Sequence, residues 1–209
     1  DALNANTTGT RNVAVGAFAL DANTTGQLNV AVGYNALSAQ NADAYNTAVG
    51  AQAMQVTTTG GYSVAVGRMA LGSNTTGSNN AALGYAALDA NTTGTLNTAV
   101  GSNALGANTT ASYNTAVGYG ALDANTTGAF NAAVGSDSLG SNTTASNNTA
   151  IGHNALAANT TGASNTAVGS LALDAVTTGT DNTAVGHGAL TANTSDANVA
   201  VGHRALEAN

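Results

Sequence analysis

Apolar and polar positions follow one another along this chain in a pattern that repeats every 17 residues. The clearest marker of the repeat is a Val-Gly dipeptide or a close relative of it. The glycines of this marker are Gly16, Gly33, Gly50, Gly67, Gly84, Gly101, Gly118, Gly135, Gly152, Gly169, Gly186 and Gly202. Every interval is 17 residues except the last, which is 16. Self-similarity at a fixed short period is typical of a solenoid, in which each repeat forms one coil.

The repeat has the consensus N-T-A-V-G-x-x-A-L-x-A-N-T-T-G-x-x, and several of its columns hardly vary. The asparagine column begins at Asn12, and the alanine column, which has no exception, begins at Ala14. The leucine column begins at Leu20 and is broken once, by Met54. Helical repeats need about 20 to 45 residues, so a 17-residue unit predicts short strands instead.

We predict two strands in each coil, over 12–15 and 19–22 in the first, with Gly16 and Gly26 at the corners, where glycine adopts positive φ at little cost. Strands of successive coils would pair in parallel and in register, about 4.8 Å apart, in a rod about 55–60 Å long. The leucine and valine columns would form the core. The asparagine column would form an internal amide ladder at a corner. The predicted fold is all-β, a parallel β-solenoid of about twelve coils.

The alanine column suggests a contact between subunits. Alternate side chains of a strand face opposite ways, so Ala14 would point outward if Val13 and Val15 pointed into the core. An outward column that never varies from a small residue predicts another copy of the chain packed against it; a three-sided coil that covers both faces is the alternative. The candidate interface is Ala14, Ala31, Ala48, Ala65, Ala82, Ala99, Ala116, Ala133, Ala150, Ala167, Ala184 and Ala200.

Composition narrows the partners and the surroundings of the chain. Only 6% of its 209 residues are charged, Lys is absent, and the formal net charge is -7. This balance disfavours nucleic-acid binding, which requires basic patches. No apolar run approaches the ~20 residues of a membrane-spanning helix, so we expect no membrane insertion by this segment. We expect residues 1–209 to form a single repeat domain that belongs to a longer fibrous protein.

The strand motif resembles the N-S-V-A-I-G repeat of YadA-like heads in trimeric autotransporter adhesins, which is also found in phage tail fibres. The matching segments include 46–50, 63–67 and 148–152. The resemblance covers essentially the whole chain and implies a left-handed parallel β-roll, three chains about one axis, and adhesion. The familiar repeat is shorter; the additional residues here fall at Ala-Asn-Thr-Thr-Gly.

No catalytic arrangement stands out, and we predict no enzyme activity, cofactor or metal site. Two variable columns are candidates for surface contacts, since Tyr and Arg are favoured at interfaces. The first, termed the Tyr/His column, directly follows the corner glycine and contains Tyr34, Arg68, Tyr85, Tyr119, His153, His187 and His203. The second, termed the aromatic column, contains Arg11, Leu28, Tyr45, Tyr62, Tyr113 and Phe130.

These features predict the head or shaft of a homotrimeric surface adhesin, extracellular and anchored to the outer membrane, that attaches to a host or matrix surface protein or glycan. Repeated weak sites on three chains would combine through effective concentration. The alternatives are a phage tail fibre that binds a receptor and a purely structural spacer. A further alternative is an ice-binding β-solenoid, because threonine pairs such as Thr24–Thr25 and Thr92–Thr93 would stack into regular arrays.

Overall fold

The computed structural model describes residues 1–42, 44–192 and 195–207, and it shows a β-solenoid. The twelve strands, of three residues each, are β1 (Val13–Val15), β2 (Val30–Val32), β3 (Thr47–Val49), β4 (Val64–Val66), β5 (Ala81–Leu83), β6 (Thr98–Val100), β7 (Thr115–Val117), β8 (Ala132–Val134), β9 (Thr149–Ile151), β10 (Thr166–Val168), β11 (Thr183–Val185) and β12 (Val199–Val201). They form one parallel sheet in chain order. The described residues contain no helix, and the predicted all-β solenoid is confirmed.

Successive strands pair so that equivalent residues of the repeat lie side by side. Ala14 pairs with Ala31, and the same 17-residue offset holds in every pair from β1 to β11. The last pair keeps the columns aligned, with Val185 beside Val201. The residue missing from the last repeat is therefore absorbed in the connection between β11 and β12.

The leucine column forms the core, as predicted. From Leu20 to Leu190 its side chains are fully buried, including Met54. The residue preceding each of them is buried beside it and is alanine, such as Ala19 or Ala36, except at Ser138. The core is therefore a narrow row that extends along the whole rod.

The strands face opposite to the prediction. The alanine column points into the chain's own core, which corrects the proposed subunit contact through Ala14, Ala31, Ala48, Ala65, Ala82, Ala99, Ala116, Ala133, Ala150, Ala167, Ala184 and Ala200. All are buried except Ala14, which is half-buried in the first strand. Because a 17-residue coil is flat, its inward strand position packs directly against the leucine column, and a methyl group fills the space. The invariance of alanine reflects packing within one chain.

The first and third residues of each strand consequently point outward. We name these positions the first strand column and the third strand column. Val13 is 48% exposed and Val15 57%, and in the interior strands these positions are exposed or half-buried. The prediction that the valine column lies in the core was wrong.

The second predicted strand is also absent. Residues 19–22 form turns, and Phe18 and Leu20 have left-handed φ values of 59° and 50°. The turn still bonds to its neighbour: the N–H of Leu20 donates to the Ala36 carbonyl at 3.0 Å. The equivalent residues of the other coils repeat these φ values, and none of the left-handed residues is Val, Ile or Thr, for which this conformation is strongly disfavoured.

Two buried amide ladders connect the coils. In the asparagine column, Oδ1 of Asn29 accepts the N–H of Asn46 at 2.9 Å, and Nδ2 of Asn46 donates to the Gly60 carbonyl at 2.7 Å. This is the predicted internal ladder. A second one, termed the turn ladder, joins Asn side chains directly at 2.8 to 3.1 Å. Its members are Asn74, Asn91, Asn108, Asn125, Asn142 and Asn159.

Candidate interaction surfaces

Surfaces, not cavities, are the candidate functional sites in the described part of the chain. No cavity is found there, and no group of three metal-ligating side chains. A helix long and apolar enough to cross a membrane is likewise not found among these residues. The outward-facing columns are therefore the candidate sites.

One side of the rod carries nearly all of the exposed large apolar side chains, interspersed with polar residues; the first strand column, for example, is Thr in six of the twelve strands. The outward positions of this side are the aromatic column, the first and third strand columns, and the Tyr/His column, and together we name them the apolar face. Of the exposed large hydrophobic side chains in the described residues, all but Phe18, Val56 and Leu206 lie on this face. The third strand column is aliphatic in all twelve strands: Val in ten of them, Leu83 in β5 and Ile151 in β9.

The apolar face is large enough to bind another chain. It spans six residue steps across, about 20 Å, and eleven strand spacings along the rod, about 53 Å. Its outline therefore covers roughly 1,000 Å², against the ~800 Å² that each partner buries in a standard protein interface.

The Tyr/His column forms one edge of the apolar face. All seven predicted contact residues are exposed and lie in one line: Tyr34, Arg68, Tyr85, Tyr119, His153, His187 and His203. The Arg68 guanidinium lies 5.8 Å from the centre of the Tyr85 ring, and the rings of His187 and His203 stack at 5.3 Å. Their role in binding a receptor stays a prediction.

The aromatic column forms the opposite edge. The rings of Tyr45 and Tyr62 stack with centroids 5.0 Å apart, and those of Tyr113 and Phe130 at 4.9 Å. Each ring therefore covers one face of its neighbour and turns its edge toward solvent. The remaining positions of this column are Asn79, Leu96, Asn147, Ser164, Asp181 and Ala197.

The other side of the rod is polar. Eight consecutive coils expose a threonine in one row, which we name the threonine column: Thr59, Thr76, Thr93, Thr110, Thr127, Thr144, Thr161 and Thr178. The threonine that precedes seven of them, from Thr58 to Thr160, donates its hydroxyl to the next coil; for example, the Thr92 hydroxyl donates to the Thr109 carbonyl at 3.0 Å. The exposed row therefore lies on a backbone that is fixed from coil to coil.

Three aspartates of the polar side have raised pKa values. Burial raises the pKa of Asp89, an effect that the nearby Arg68 opposes. Burial also raises the pKa of Asp123, and the negative charge of Asp137 in the next coil adds to it. Burial raises the pKa of Asp174 too, against hydrogen bonds from the backbone.

The sequence-based prediction did not identify the first and third strand columns as surface positions. The signal was present, because β-branched residues concentrate in these columns while the alanine column between them admits only a methyl group. In a thin coil the inward-pointing strand position accommodates alanine but has no room for valine. Comparisons with known protein families, with curated proteins and with solved structures find no match to the chain.

Proposed function

We propose that this chain is a head or shaft segment of a homotrimeric surface adhesin, located outside the cell or on a virion fibre. The observation that carries the proposal is the apolar face, in which an unbroken row of aliphatic side chains, the third strand column, points away from the chain's own core in all twelve strands. Packing three such faces about one axis would remove their strand columns from water along the whole rod and leave the outer edges of the faces at the surface. The resemblance of the strand motif to YadA-like head repeats supports three as the number of chains.

The repeated surface suits attachment through many weak contacts. Equivalent side chains recur at every coil, about 4.8 Å apart, so one rod presents the same chemistry many times. Such contacts combine through effective concentration. The partner we propose is a host or matrix surface protein or glycan, since the net charge of -7 disfavours nucleic acid.

Attachment can be tested on surfaces coated with matrix proteins or glycans at a series of densities. The proposal predicts binding whose apparent affinity rises steeply with coating density. A purely structural spacer would not bind at any density, which would refute adhesion by this segment. Alanine at Tyr85, Tyr119 and His153 tests the Tyr/His column: loss of attachment by a protein that still assembles would support a receptor contact there.

The threonine column supports a second candidate, an ice-binding surface. Eight exposed hydroxyl and methyl groups recur at one strand spacing on a fixed backbone, and a regular array of this kind can order water. Ice growth in the presence of the protein tests this candidate. Shaped crystals that become unshaped with Thr110→Tyr and Thr127→Tyr would support it, and unshaped crystals at high protein concentration would eliminate it.

A further inference from the structure

Each strand of the apolar face is flanked by one residue of the aromatic column and one of the Tyr/His column. For β4 these are Tyr62 and Arg68, and for β11 they are Asp181 and His187. The two flanking residues are six positions apart, which is about 20 Å along an extended chain. They therefore lie at opposite edges of the face and do not meet within one chain.

The flanking residues of one strand complement each other in charge. Arg68 and Tyr62 flank the same strand, and an arginine of one copy beside a tyrosine of the next would favour a cation–π contact. Asp181 is the only acidic residue of the aromatic column, and it shares its level with His187. The ion pair of the described residues is Arg204 with Glu207, so Arg68 and Asp181 have no ion-pair partner in the described part of their own chain.

The flanking residues complement each other in size at four of the seven levels where the aromatic column has a bulky side chain. These pairs are Arg11 with Ala17, Tyr45 with Ala51, Leu96 with Ser102, and Phe130 with Ser136. At the other three levels both side chains are bulky: Leu28 with Tyr34, Tyr62 with Arg68, and Tyr113 with Tyr119. Two serines, Ser164 and Ser170, share one further level. Two polar pairs, Asn79 with Tyr85 and Asn147 with His153, can form hydrogen bonds.

A rotation axis parallel to the rod would bring these complementary edges together. It places equal strands of neighbouring copies at the same height, and it turns the Tyr/His edge of one face toward the aromatic edge of the next. A triangular core with sides of about 20 Å has its centre about 6 Å from each sheet. This is close to half of the ~10 Å at which two sheets pack, so the strand columns would fill the interior.

We infer that the aromatic column of one chain packs, strand by strand at the same level, against the Tyr/His column of a neighbouring parallel copy. The inference rests on the proposed assembly and specifies its contacts. It sets Tyr62 beside Arg68, and Asp181 beside His187, across the subunit boundary, in addition to the ring contacts that Tyr62, Arg68 and His187 make within their own chain. The Tyr/His column, which the sequence indicated for receptor contact, then lies at the junction between subunits.

Disulfide cross-linking tests this register, because the chain contains no cysteine. Ser164 is exposed and Ser170 half-buried, so cysteine at both positions leaves the core intact. A disulfide requires Cα atoms about 4.4–6.8 Å apart, which excludes a bond between these positions within one chain. We expect Ser164→Cys/Ser170→Cys to give covalent dimers and trimers on a denaturing gel after mild oxidation.

The matched control is Ser164→Cys/Ser136→Cys, whose second site is in the same column but two coils away, about 10 Å along the rod. We expect this control and the single variant Ser164→Cys to stay uncross-linked. Failure of Ser164→Cys/Ser170→Cys to cross-link, in a protein that light scattering shows to be a trimer, would overturn the edge pairing but leave the trimer intact. Cross-linking of Ser164→Cys/Ser136→Cys instead would have the same consequence. A single-chain mass would overturn both.

Discussion

Backbone conformation restricts the side chains at four positions of every coil. Three columns, represented by Tyr113, Asp137 and Leu139, have left-handed φ values of 63°, 55° and 50°. These columns accept Leu, Met, Asn, Tyr and Gly but exclude β-branched residues. The fourth position is the corner glycine, which combines a φ near +137° with close contact to the next coil. Residue identity in the repeat therefore follows backbone geometry as much as burial.

Replacing a corner glycine should destabilise the rod strongly. At Gly84, φ is 141°, and a methyl group would overlap the carbonyl oxygen of Gly101. We expect Gly84→Ala to lower the free energy of unfolding by more than about 2 kcal/mol, measured by chemical denaturation. Gly72→Ala is the control, because Gly72 lacks the positive φ of the corner and the atom nearest to its added methyl group is Oδ1 of the flexible Asp89 side chain, with the Met69 carbonyl oxygen next at 3.1 Å. Equal stability of Gly84→Ala and wild type would contradict the account of the corner.

The raised aspartate pKa values predict an unusual dependence of stability on pH. Because burial raises the pKa of Asp89, Asp123 and Asp174, the folded chain binds their protons more tightly than the unfolded chain. Their contribution to stability is complete below the unfolded pKa, near 4, and is lost as the pH rises through the folded pKa. The thermal midpoint should therefore rise as the pH falls from 7 toward 4.

The control for this pH dependence is the triple asparagine variant of these aspartates. It cannot titrate at the three positions, so its thermal midpoint should change less between pH 7 and 4. An identical pH profile for the variant and the wild type would show that these carboxyl groups do not control stability in this range.

At the scale of the strand, the sequence determines the pairing register but not which side chains point into the core. The 17-residue period aligns Ala14 with Ala31 whichever way the strand turns, so parallel pairing and the asparagine column were predictable. Which side chains of a strand point inward depends on the width of the space that the coil encloses. That width cannot be read directly from the repeat. Val13 and Val15 are larger and more apolar than Ala14, so hydrophobicity alone favoured the wrong face. The thinness of the coil reverses that preference.

At the scale of the turn, apolar content was misleading. Residues 19–22 are apolar except for Asp21, as in a short buried strand, yet Leu20 and its equivalents are left-handed. The absence of Val, Ile and Thr from the leucine column was the available signal. The turn ladder was missed because its Asn-Thr-Thr-Gly segment resembles ordinary turn chemistry. Only the stacking of equivalent turns shows that Asn108 and Asn125 bond to each other.

Interrupting the turn ladder in its middle should cost more than shortening its end. Asn125 donates to Asn108 at 3.1 Å and accepts from Asn142 at 2.9 Å, so Asn125→Ala leaves an acceptor and a donor buried without this partner. We expect a loss of about 2–4 kcal/mol in the free energy of unfolding.

The matched control for the ladder is Asn159→Ala. Val176 follows Asn159 in this column, and Oδ1 of Asn159 has no hydrogen-bond partner. Its removal therefore strands only Oδ1 of Asn142, and it should cost about 1–2 kcal/mol less than Asn125→Ala. Equal losses for the two variants, measured by denaturation, would show that the links between coils contribute little.

At the scale of the whole molecule, the rod is amphipathic. Its apolar side combines the strand columns with two edges of complementary chemistry, and its polar side presents the threonine column. A monomeric rod would leave the entire apolar face in water. The proposed assembly through this face would explain why the third strand column is aliphatic in all twelve strands although it points away from the chain's own core.

Charges placed on the apolar face should separate the subunits without unfolding the coil. Val134 and Ile151 are 39% and 43% exposed in the single chain, so glutamate fits there sterically but would be buried between subunits. An unpaired buried charge costs several kcal/mol, and each trimer would hold six. We expect Val134→Glu/Ile151→Glu to elute as a folded single chain, with its strand content checked by circular dichroism.

The control carries the same charges on the polar side. Thr127 and Thr144 are exposed members of the threonine column, close in sequence to the two apolar positions. Thr127→Glu/Thr144→Glu should keep the wild-type assembly. Dissociation of both variants would point to net charge, and dissociation of neither would argue against burial of the apolar face.

The molar mass of the unmodified protein in solution tests the central claim most directly. Light scattering coupled to size exclusion measures it without reference to shape, which matters for a rod. The account predicts about 60 kDa, three chains of 20.0 kDa each, maintained on dilution. A mass of 20.0 kDa over the same concentration range would contradict it, because the apolar face would then be exposed to water in the native state.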